Sequence, residues 1–75
     1  VARADLARAD AAIAAARSAE AIAAHDLERV RNLGRKRITT PQDLERARLA
    51  WEESVARLHE AEATAEVARK RLADL

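Results

Sequence analysis

The sequence predicts an all-α chain folded as an antiparallel two-helix coiled-coil hairpin. Three observations point there. Helix-forming residues, above all Ala, Glu, Arg and Leu, fill nearly the whole chain. The only Gly (Gly34) and the only Pro (Pro41) stand close together near its middle. On both sides of that interruption, apolar residues return every seven positions. So few turn residues leave no room for an all-β or α/β fold.

The first arm is expected over residues 2–33, with Gly34 ending it in a left-handed conformation that glycine adopts without strain. Residues 34–40 are the expected turn. The second arm is expected over 41–75. It opens on Thr40-Pro41-Gln42-Asp43, where Thr40 can cap, Pro41 suits the first helical position and Asp43 favours the positive helix end. Each arm then measures roughly 48 Å at 1.5 Å per residue.

Within the second arm Leu44, Trp51, Leu58, Ala65 and Leu72 occupy a positions, and Ala47, Ser54, Ala61, Ala68 and Leu75 occupy d. The first arm sets Leu6, Ile13, Glu20 and Leu27 at a, and Ala2, Ala9, Ala16, Ala23 and Val30 at d. Centring the turn on Arg37 brings Leu27 opposite Ala47, Ala23 opposite Trp51, Ala16 opposite Leu58, Ile13 opposite Ala61 and Leu6 opposite Ala68. Nearly every layer pairs a large side chain with a small one, so the helices can approach evenly. Glu20, the polar break in its stripe, is expected to meet Ser54. A register shifted by one heptad would set Val30 against Trp51 and packs less evenly.

Of 37 apolar residues 21 are Ala, and Trp51 is the only aromatic. Such a chain builds only a thin core. Ile22, Leu49, Val55 and Val67 fall off the seam, and the expectation is that they pack laterally against neighbouring copies.

Cysteine is absent, which excludes disulfide and thiol chemistry. With 14 basic and 13 acidic residues, the net charge of +1 favours no polyanion. His25 and His59 are the only histidines, on different arms, and read as solvent-exposed. The acids are spaced to pair along the helices: Asp26 with Arg29, Glu28 with Arg31, Glu53 with Arg57 and Glu66 with Lys70. The chain has no phosphate loop, no nucleophile beside a base and no carboxylate pair in a pocket. The expectation is therefore a non-enzymatic module with no cofactor and no metal. The start at Val1, without Met, reads as an excised piece of a larger protein.

The turn carries more information. Between Arg29 and Arg37 stand five basic residues and no acid. The dipole of the first helix accounts for Arg29 and Arg31 near its C-terminus. It accounts less well for Arg35, Lys36 and Arg37, which this reading puts in the loop. A basic tip suits phosphates or an acidic protein surface, but the absence of aromatic residues there argues against nucleic acid.

Arg29-Val30-Arg31-Asn32-Leu33, then Thr40 after six residues, then Gln42-Asp43-Leu44-Glu45, resembles the hairpin tip of periplasmic membrane fusion proteins. These HlyD-like adaptors serve tripartite efflux pumps and type I secretion. The family pattern is an Arg, a Leu four residues on and a Ser seven beyond, so Arg29 and Leu33 match and Thr40 keeps the hydroxyl. The resemblance as a motif spans about Arg29 to Ala47, and as architecture the whole chain. It implies that Arg29, Leu33 and Thr40 touch a TolC-like outer-membrane channel, with Arg35, Lys36 and Arg37 as additional tip contacts. It also implies a periplasmic hairpin in a ring of copies. The parent would be anchored to the inner membrane and would meet an inner-membrane transporter through domains not in this sequence. As an isolated piece the hairpin is expected to dimerise. Two other readings stand beside this one. The first is a free-standing antiparallel coiled coil dimerising into a four-helix-bundle scaffold. The second is a nucleic-acid-binding hairpin arm, as seryl-tRNA synthetases carry.

Overall fold

A computed structural model describes all residues, 1–75. It contains two helices and no strand: α1 over Ala2–Arg35 and α2 over Pro41–Ala73. They fold back on each other into a rod of 58 × 13 × 12 Å. The two-helix hairpin expected from the heptads is what forms.

The end of α1 differs from the sequence reading. Gly34 does not end the helix and has no positive φ. The helix runs on through Arg35, Lys36 is its C-cap, and Arg37 takes the left-handed conformation at φ 59°. The Ile38 N–H donates to the Leu33 carbonyl at 2.9 Å, and the Arg37 N–H donates to the Gly34 carbonyl at 3.0 Å. These two bonds are the pair that defines a Schellman motif, and they satisfy carbonyls the helix would otherwise orphan. Glycine at position 34 permits a helix end without requiring one; the helix runs two residues beyond the expected end, and the left-handed position moves from 34 to 37.

At the start of α2 the expectation from Thr40-Pro41-Gln42-Asp43 holds. Pro41 stands in the first turn, and the Thr40 hydroxyl accepts from the Asp43 N–H at 3.1 Å. The Asp43 carboxylate accepts in return from the Thr40 N–H at 3.2 Å, which completes a capping box. The far end of α2 stops at Ala73, with Asp74 as cap, two residues short of the expected Leu75.

The core follows the a/d seam and is thin. Only eight residues are buried, and four of them are Ala9, Ala47, Ala65 and Ala68. The apolar residues separate into two clusters. Near the turn, Leu27, Val30 and Ala47 pack with Leu44 and Trp51. Towards the open end, Ala9, Ile13, Ala65 and Ala68 pack with Leu6, Leu58 and Ala61. Leu27 shares a cluster with Ala47 and Ile13 one with Ala61, as in the register centred on Arg37, and Val30 also shares one with Trp51, the pair of the shifted register.

A polar layer divides the clusters. Glu20 does not pair with Ser54. Instead its carboxylate accepts from the Trp51 indole N–H at 2.7 Å, while the Ser54 hydroxyl donates to the Trp51 carbonyl at 2.6 Å. Ser54 is buried and finds its acceptor within its own helix, a common resolution for a serine that no cross-helix group reaches.

The helices are laced on their outer faces by exposed ion pairs. Asp26–Arg29 and Glu53–Arg57 both close at 2.6 Å, as their spacing predicts. Glu28 lies nearest Arg35 at 3.8 Å rather than Arg31, and Glu66 nearest Arg69 at 3.8 Å rather than Lys70. Arg69 also reaches Asp10 across the hairpin at 3.4 Å. Exposed pairs of this kind contribute at most about 1 kcal/mol each.

Candidate docking tip

The last turns of α1 and the first turn of α2 form the tip. Arg29 and Leu33 stand four residues apart, so helical periodicity puts them on one face. Together with Thr39, Asp43, Arg46 and Ala50 they line a shallow groove beside the turn. Thr40 lies outside this groove, and Thr39 is the hydroxyl within it. Nothing in the spacing of Arg29, Leu33 and Thr40 indicated this exchange.

Each tip residue has a distinct local role. Arg29 is exposed and pairs with Asp26. Leu33 is half-buried, and its carbonyl receives the Ile38 N–H. Thr40 is exposed and caps α2. The Thr39 hydroxyl donates to Asp43 at 2.9 Å, so both threonines converge on one carboxylate. The backbone bond from Thr40, then the hydroxyls of Thr39 and Thr40, hold the Asp43 carboxyl below its ordinary value of 3.8. Each of these donors favours the charged form.

The basic residues of the tip divide in two. Arg35 turns back along α1, bonding the Asn32 side chain and approaching Glu28. Arg31, Lys36 and Arg37 make no ion pair. Because α1 extends through Arg35 to the Lys36 cap, the helix dipole stabilises these two cations as well. Only Arg37, just past the cap, falls outside that explanation. At the apex Ile38 is 67% exposed.

Along the shaft, Ile22, Leu49 and Val67 are exposed. Val55 is half-buried, so the hairpin itself covers part of it. Val67 lines an open groove between the helices near the chain ends, with Ala9 and Ala12 of α1 and Ala68 of α2, whereas Leu49 takes the outermost heptad position of α2. Ile22 takes the heptad position of α1 that also holds Arg8 and Arg29. His25 and His59 are both exposed. No three His, Asp or Glu side chains converge as a metal site would need, and no helix is long and apolar enough to cross a membrane.

No protein family, curated protein or solved structure matches this chain.

Proposed function

We propose that this hairpin is the docking arm of a periplasmic membrane fusion protein, with its tip seated on a TolC-like outer-membrane channel. The observation that carries the reading is the groove beside the turn, where Arg29 and Leu33 stand side by side at the end of a 58 Å rod. A rod bridges a distance, and its turn is the natural contact point. Arg29 offers directional N–H donors to carbonyls or carboxylates. Leu33 supplies the apolar contact that excludes water. Thr40 sets where α2 begins, and Thr39 adds a hydroxyl to the same groove. Neighbouring copies would stand alongside through the exposed residues Ile22, Leu49 and Val67.

Substitution in the parent protein tests this reading through an export assay. Arg29→Asp and Leu33→Ser should each abolish export, while circular dichroism of the hairpin stays close to wild type. Lys36→Glu should do far less. A nucleic-acid arm would give the opposite order. Every cation from Arg29 to Arg37 would then matter alike, Leu33 would hardly count, and binding to RNA or DNA would fall steeply with salt. Full export in both Arg29→Asp and Leu33→Ser would refute the docking role.

A further inference from the structure

We infer that the hairpin docks apex-first, with Ile38 as an apolar anchor entering a socket on a carboxylate-bearing protein surface. This rests on the reading of the tip as the docking end. Four observations support it.

The first is exposure. Ile38 is 67% exposed at the far end of the rod, although it occupies the Schellman position where an apolar residue usually folds back onto the helix. The second is rigidity. The Ile38 N–H is bonded to the Leu33 carbonyl, and the preceding Arg37 is fixed in a left-handed conformation that non-glycine residues adopt only at a cost. A backbone held in one conformation suits a shaped socket, because less freedom is lost on binding. A fluid lipid surface gains nothing from such preorganisation.

The third is charge. Lys36 and Arg37 at the apex, and Arg31 just over one turn back along α1, have no acidic partners, so the complementary surface is acidic. Exposed rim cations steer association more than they hold the complex. A central apolar residue holds it. The fourth is reach. Arg29 lies seven residues before Lys36, about 10 Å back along the helix. Ile38 does not line the Arg29–Leu33 groove, but a partner seated over the end of the rod and reaching back to these residues would cover it.

The test uses the 75-residue chain displayed at high density on a sensor, with a purified TolC-like channel in detergent as the probe. Ile38→Ser should weaken binding at least ~10-fold, the scale expected for withdrawing one buried aliphatic side chain. Ile38→Leu should stay within ~3-fold of wild type, because it preserves the apolar volume. Lys36→Glu should mainly slow association and reduce its dependence on salt. The thermal melt of Ile38→Ser should match wild type, since the side chain is already exposed.

Wild-type affinity in Ile38→Ser, together with loss of binding in Arg29→Asp, would overturn the anchor and leave the docking reading intact. No binding by the wild-type chain would overturn both. Tight, Ile38-dependent binding to phosphatidylglycerol vesicles with none to the channel would assign the apex to lipid and refute a protein socket.

Discussion

The Trp51 indole N–H donates to the Glu20 carboxylate at 2.7 Å, joining residues 31 positions apart across the hairpin. Ser54 adds its own bond to the Trp51 carbonyl one turn along. Between two apolar clusters, this layer matches one donor to one acceptor. A slide by one heptad would separate Glu20 from Trp51, so the layer favours a single register.

Removing either partner has a measurable cost. Trp51→Phe strands a half-buried carboxylate, and Glu20→Ala strands the indole N–H. Urea melts of both single variants and the double variant should give a coupling of about 1–2 kcal/mol, typical of a hydrogen bond to a charged group that keeps some solvent. Additive effects would show that the bond contributes nothing to stability.

The turn carries two substitutions of like sign. A β-carbon at Gly34 would meet only the Thr39 methyl, at an ordinary contact distance of 3.6 Å. Gly34→Ala should therefore stabilise by about 0.5–1 kcal/mol, by removing a flexible residue from the last helical turn. Arg37→Gly should stabilise on a similar scale of about 0.5–1 kcal/mol, by relieving the left-handed residue. Had Gly34 been the left-handed cap, Gly34→Ala would be destabilising. Thermal denaturation distinguishes these outcomes by sign alone.

The Asp43 carboxyl titrates below its ordinary value of 3.8 in the folded hairpin. A depressed carboxylate pKa adds stability that is fully present above the unfolded value and is lost as pH falls through the folded one. Asp43→Ala should thus weaken the hairpin at neutral pH and make little difference once both forms are protonated in strong acid. Thr40→Ala should cost about 1 kcal/mol at neutral pH through the lost cap. An Asp43→Ala deficit that stays constant down to strong acid would show that the charge of Asp43 plays no part in the cap.

With eight buried residues and exposed Ile22, Leu49 and Val67, the isolated hairpin should associate. Its melting temperature should rise with protein concentration, and sedimentation at high micromolar concentration should show dimers or larger species. Because Ile22 and Leu49 are both exposed, Ile22→Ser and Leu49→Ser should each weaken association. A cooperative melt independent of concentration, with a pure monomer in sedimentation, would contradict this.

The hairpin was legible in the sequence because its two signals are local and redundant. The heptads identify the buried stripe, and Thr40-Pro41-Gln42-Asp43 marks a helix start through three separate preferences. The end of α1 was not legible, since Gly34 is compatible with either a helix or its cap. The choice depends on which carbonyls the following N–H groups reach. The partner of Glu20 was hidden for a related reason. Matching layers by position pairs β-carbons, whereas the Trp51 indole extends beyond its own layer. At the tip, the shared face of Arg29 and Leu33 follows from helical spacing. The entry of Thr39 into their groove depends on the path of the loop, which no periodicity encodes.

The split core also decides how the molecule comes apart under tension. Force applied at Val1 and Leu75 loads the open-end cluster first, around Ile13 and Ala65. Separation then halts at the Glu20–Trp51 link, where a charged bond must break before the next apolar cluster is strained. Beyond it, Leu27 and Val30 are backed by a turn tied on one side by the Schellman bonds and on the other by the Thr40 cap. The hairpin is a zipper with a catch at mid-length, and its closed end is the last part to open.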